Sequence, residues 1–199
     1  MGWDKTLPPD PIMRCRKVIG ELCRLACSID LVSYMVDVRE LLKYNEVVRH
    51  RYFESLANLS WEEFTKNREA SFNSFRDIFI HTLAVIDYWL DFLGKETLKS
   101  KSNILSVRAR ERFEEYGSFD DVKAYMRRVE KRMDEYLQTL SPTGLKKCTV
   151  TVEKHRATKI SAEDILIHVF EEEVHHRGEL IALFWQMRID PPEMGWKGL

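Results

Sequence analysis

An all-α fold, a four-helix bundle with a long crossover, is predicted by three features of this sequence. Apolar residues recur at three- and four-residue spacings through four long segments. Prolines stand near the ends and once in the middle, at Pro8, Pro9, Pro11, Pro142, Pro191 and Pro192, so they punctuate the helical pattern without interrupting it. Serines followed three positions later by an acid open several of the segments, which is how a helix N-terminus satisfies its free amides.

In chain order, residues 11 to about 33 are expected to form an amphipathic helix with Pro11 in its first turn. The pattern of Leu41, Leu42, Tyr44, Val48, Tyr52 and Leu56 predicts a helix over roughly 36 to 57. Ser60 and Glu63 read as a capping box for a short helix. A long helix is expected over about 71 to 93, stopped by Gly94, and another over about 118 to 139, opened by Ser118 and Asp121. "SPTG" at 141 to 144 breaks the chain. The alternating, β-branched "KKCTVTVEKH" then predicts a short strand or hairpin near 148 to 154. Ser161 and Asp164 open the last helix, about 161 to 188, which ends at "IDPPEMGWKGL". The expected organisation is an N-terminal helical extension, 1–34, followed by the bundle domain, 35–199.

Composition narrows the functional classes. Across 199 residues, 31 Lys and Arg face 32 Asp and Glu, a balance that argues against nucleic acid as the main partner. The basic runs "RARER" (Arg108 to Arg112) and "MRRVEKRM" are broken by acids and read as helix surface. No run reaches the roughly 18 apolar residues of a membrane span, and the N-terminus lacks the pattern of a signal peptide, so the cytoplasm is expected. Four cysteines, Cys15, Cys23, Cys27 and Cys148, are too few for a disulfide framework; Cys23 and Cys27, one turn apart, read as small buried residues.

Chemistry concentrates in "FEEEVHHRGELI", Phe170 to Ile181. With His176 as reference on a helical wheel, Glu172 lies about 40° away, at the margin of the apolar arc, whereas His168 and His175 lie about 80° and 100° out toward the polar side. Glu173 and Arg177 project into the apolar arc, where an i, i+4 ion pair between them is expected. His81 sits at the margin of the apolar face of its own helix, flanked by Ile78, Val85, Trp89 and Phe92. Two imidazoles and a carboxylate suit catalytic Zn²⁺ with one position open; Fe²⁺ and Ni²⁺ are alternatives. An E-x-x-x-H pair also arises as a plain ion pair, so spacing alone leaves both readings standing. A di-iron carboxylate site would need a second E-x-x-H beside Glu172-x-x-His175, and no other helix supplies one.

The stretches "LLKYNEVVRHRYFESLANLSWEEF", "SFNSFRDIFIHTLAVIDYWLDFLG" and "SAEDILIHVFEEEVHHRGELIALFWQMRIDPP" resemble the successive signatures of the DinB/YfiT-like superfamily, over about residues 36 to 195. The resemblance implies a four-helix bundle with a divalent metal held by three side chains: a histidine on the second helix, matched by His81, and an H-x-x-x-H pair on the last. Its second histidine, directly before Arg-Gly, is matched by His176 before Arg177 and Gly178. This chain departs in the middle, where Glu172 replaces the commoner histidine. Some thiol-dependent members carry glutamate there and bind zinc. The substitution lowers the charge of the complex by one unit and makes a bound water or thiol less acidic.

What the resemblance implies is a metal-dependent enzyme of the thiol-transferase type, with a low-molecular-weight thiol as cofactor and a small-molecule substrate. A hydrolase is the alternative, its base to be found among His168, His175 and Glu171; a non-catalytic metal-binding bundle is the other, and a homodimer is expected in each case.

Overall fold

The fold is known from a computed structural model that describes residues 37–93, 97–99, 107, 110–153 and 156–195. The expected helix at 11 to 33, with Cys15, Cys23 and Cys27, and the stop at Gly94 lie outside these residues.

Four long helices carry the fold. Helix α1, Val38–Ala57, is capped by Asp37, whose side chain accepts from the Arg39 amide, and it buries Val38, Leu42, Val48, Tyr52 and Leu56 along one stripe. Short helix α2, Trp61–Thr65, is capped by Ser60. The expected capping box is only half made, because the Glu63 carboxylate bonds Lys66 and Arg68 instead of reaching back. Helix α3, Phe75–Leu90, is buried almost all round and is the central helix of the bundle, packed against both α4 and α6. Helix α4, Phe119–Thr139, is capped by Ser118 and buries a narrower stripe of Val122, Tyr125, Met126, Val129 and Glu130. The "SPTG" break closes into one helical turn, α5, Pro142–Leu145, because Ser141 caps it. Helix α6, Ala162–Gln186, opens with the complete Ser161–Asp164 capping box.

Helix α3 begins four residues later than expected. Ser74 caps it by accepting from the Asp77 amide at 3.1 Å, and residues 67 to 73 fold as a tight loop instead of a first helical turn. The Arg68 amide donates to the Asn73 carbonyl at 2.6 Å, and both Glu69 and Asn73 take positive φ, at 56° and 63°. That backbone turns Ser71 and Phe72 away from the helix axis.

The strand element is larger than the sequence implies. Strands β2, Cys148–Glu153, and β3, Arg156–Ser161, form an antiparallel hairpin from Cys148↔Ser161 to Glu153↔Arg156. A three-residue strand β1, Thr97–Lys99, joins β2 in parallel, giving the order β1-β2-β3. The expected hairpin is present but extends beyond 154 to Ser161, because β3 alternates only weakly; β1 is too short to show a period. The hairpin runs directly into the N-cap of α6, and the Ala162 amide donates to the Lys147 carbonyl at 3.1 Å. The crossover thus fixes where α6 starts. No helix among the described residues is long and apolar enough to cross a membrane.

The buried stripe of α6 is apolar at both ends and polar in the middle: Glu173, His176 and Arg177 are all buried. Glu173 and Arg177 do not form the expected i, i+4 pair. Arg49 of α1 takes Glu173 with two nitrogens, at 2.6 and 3.2 Å, and takes Glu130 of α4 with a third at 2.8 Å. Arg177 donates to Asn45 Oδ1 at 2.7 Å and lies over the Tyr44 ring. Each buried charge on α6 finds its partner on α1: Arg49 grips both oxygens of Glu173 with its guanidinium fork, and Asn45 accepts from Arg177. Glu130, expected on the surface as part of "MRRVEKRM", turns inward for the same reason.

Removing Arg49 strands two buried carboxylates. Arg49→Met is expected to cost about 3–5 kcal/mol, against about 1 kcal/mol for loss of the Ser118 cap in Ser118→Ala. Urea unfolding monitored by circular dichroism measures both; equal losses would show that Arg49 clamps nothing.

Candidate metal centre

His81 stands in the middle of α3, so neighbours on every side fix its ring, which is 12% exposed. Its Nδ1 lies 2.6 Å from Glu111 Oε1. Phe72 stacks on the opposite side, with centroids 3.9 Å apart and planes 21° from parallel. His176, 6% exposed, has a matching arrangement: its Nδ1 lies 2.9 Å from Glu179 Oε2, and Glu179 Oε1 accepts from Ser71 Oγ at 2.7 Å. The two imidazoles meet edge to face, 4.5 Å between centroids.

These two carboxylate contacts set the tautomers. An anionic acceptor at Nδ1 holds the proton there and leaves the Nε2 lone pair free to accept or to ligate. His176 Nε2 faces Glu172 Oε2 at 3.4 Å. One donor atom each from His81, Glu172 and His176 lies within 4.8 Å of the others, so the structure brings the three sequence-predicted residues together from two helices.

His175, His176 and Glu179 also converge. In that group, however, Glu179 is already bonded to His176 Nδ1 and Ser71, and all three residues sit on a single helix. Unlike that group, the His81 group draws its donors from two helices.

His175 is exposed, its ring beside that of His176. His168 stands nearer the chemistry: its Nε2 is 3.7 Å from Glu172 Oε1, and Trp89 packs edge-on against its ring. Glu171 is exposed.

Four participants were not singled out from sequence. Glu179, three residues beyond His176, was open to the helical-wheel argument. Ser71 and Phe72 fall within the expected helix, and only the loop at 67 to 73 brings Ser71 to Glu179 and Phe72 onto His81. Glu111 belongs to "RARER", read as surface; instead it reaches His81 while Arg110 pairs with Asp87 and Asp91. A contact across 30 residues leaves no periodic signal.

Burial disfavours the charged form of His81 and holds its pKa below the ordinary imidazole value; the nearby His176 adds to the shift, and Glu111 and Glu172 only partly oppose it. Glu179 is pushed up by burial, but hydrogen bonds from His176 and Ser71 outweigh that and leave its carboxyl below the usual range. A neutral imidazole is the state a metal requires of His81.

A model of the DinB family matches residues 34–196 of this chain. The chain is also 24% identical over 160 residues to the uncharacterized protein YizA of Bacillus subtilis (strain 168), an alignment spanning 80% of this chain and 93% of that protein.

For the metal-free protein, NMR titration should find the His81 ring protonating below the ordinary value of about 6.5. Since the unfolded chain takes up that proton more readily, this group's contribution to stability is lost as pH falls below about 6.5 toward the lower folded value. A His81 midpoint at or above the ordinary value would contradict the burial argument.

Proposed function

The chain belongs to the DinB family, and from that premise we propose a divalent-metal-dependent enzyme whose ion is held by His81, Glu172 and His176. The observation that carries this reading is the pair of Nδ1–carboxylate contacts, His81–Glu111 and His176–Glu179, which leave both Nε2 atoms unspent beside Glu172. The donor set fits the group: two imidazoles and one carboxylate suit Zn²⁺ first, with Ni²⁺ and Fe²⁺ as alternatives, and leave coordination positions open.

When bound, the ion supplies Lewis-acid activation of a nucleophile, and a low-molecular-weight thiol is the one we propose. Around that position the chain has defined tasks. Glu111 and Glu179 hold the imidazoles at fixed angle. Phe72 covers the His81 ring and excludes water from that side. His168, close to Glu172 and partly exposed, is the side chain placed to accept the proton a thiol gives up. The same placement supports a second reading, in which the nucleophile is water and the protein is a hydrolase.

Metal analysis of the purified protein should give about one equivalent of zinc, nickel or iron per chain, lost in His81→Ala and Glu172→Ala. Glu111→Gln should retain the ion but bind it about 10–100-fold more weakly. A wild-type protein that neither carries nor takes up such an ion would sink the enzyme reading. In the cobalt-substituted protein, a sulfur-to-cobalt charge-transfer band on adding a small thiol supports the thiol reading; cobalt bound without such a band favours water or a non-catalytic role.

A further inference from the structure

A Glu-x-x-x-His pair also lies on α1. Glu46 and His50 are four residues apart, on adjacent turns, and Glu130 faces them from α4. One donor atom from each of the three lies within 4.8 Å of the others, the same arrangement as in the His81 group: an i, i+4 pair on one helix and a third donor from its neighbour. His50 Nε2 is 3.2 Å from Glu130 Oε2. Glu130 is buried, and its other oxygen is taken by Arg49.

The local charge is not balanced. Arg49 is a single guanidinium serving two buried carboxylates, Glu130 and Glu173. Glu46 and Asp134 add two further acids on the walls of a groove of about 390 Å³ between α1 and α4, whose four acids Glu46, Glu130, Asp134 and Glu173 outnumber its three cations Arg39, Lys43 and Arg49. Burial raises the Glu46 pKa, and the neighbouring Asp134 and Glu130 raise it further, against the opposing pull of Arg49 and His50. None of His81, Glu172 and His176 lines this groove. A cation held between Glu46 and Glu130 on the groove wall would meet the His50 imidazole, which stands just outside the groove's lining and shares Glu130 with Arg49.

We propose that Glu46, His50 and Glu130 form a second divalent-cation site, joining α1 to α4 at the groove and independent of the His81 group. One imidazole among carboxylates, open to solvent water, suits an oxygen-preferring ion of the Mn²⁺ class better than Zn²⁺. Bound there, the ion supplies the positive charge that Arg49 divides between two acids, and it ties α4 to α1 beside the Arg49 clamp.

Mn²⁺ itself is the probe. Electron paramagnetic resonance of free Mn²⁺ should reveal a binding class in the wild-type protein that Glu46→Gln and His50→Gln each weaken at least about tenfold and that Glu172→Gln leaves in place. Glu46 and His50 are only partly buried, so these variants keep the core intact, which circular dichroism verifies. A measurement without variants accompanies it: Mn²⁺ should broaden the backbone amide signals of residues 46–50 and 130–134 in the wild-type protein. Absence of Mn²⁺ binding, its survival in both α1 variants, or its loss in Glu172→Gln alone would overturn the proposal.

Discussion

The structure depends on one constraint: the middle of α6 buries Glu173, His176 and Arg177 where an ordinary bundle helix would bury aliphatic side chains. A buried charge or imidazole is tolerated only when its polar atoms are matched, and the cost of leaving one unmatched is several kcal/mol. The surrounding helices answer that demand group by group. Arg49 answers Glu173, Asn45 answers Arg177, and Glu179 answers the Nδ1 of His176. One atom, His176 Nε2, is left facing Glu172 and the neighbouring His81. The site is what remains once the buried charges in the middle of α6 have been matched.

That constraint also explains the geometry of the loop before α3. Were residues 71–74 helical, Ser71 and Phe72 would continue the helix surface. The cap at Ser74 starts the helix there, and the turn at Glu69 and Asn73 sends Ser71 to Glu179 and Phe72 onto His81. A local capping preference worth about 1 kcal/mol thereby sets the cover of the candidate centre.

Much of this was legible before any coordinates. The long helices, the caps at Ser118 and Ser161, and the placement of His81, Glu172 and His176 on facing margins follow from a 3.6-residue period, a property that a single sequence displays directly. What was not legible has a common physical cause. Glu111 reaches His81 from a charged run; Glu130 turns inward from another; Glu173 prefers Arg49 on a distant helix to Arg177 on its own. In each case a charged side chain was assigned by its neighbours in sequence, while its partner was chosen by packing. β1 and the full length of β3 lack a sequence signal for the related reason that short strands draw stability from pairing and carry little pattern of their own.

The most direct test of the central claim is X-ray absorption at the metal edge of the purified protein. A bundle centre built from His81, Glu172 and His176 predicts an all-nitrogen-and-oxygen shell at about 2.0–2.1 Å with the outer-shell scattering of two imidazoles. A shell dominated by sulfur at about 2.3 Å would place the ion on cysteines instead, and a shell without imidazole scattering would remove His81 and His176 from its coordination. Either result contradicts the account.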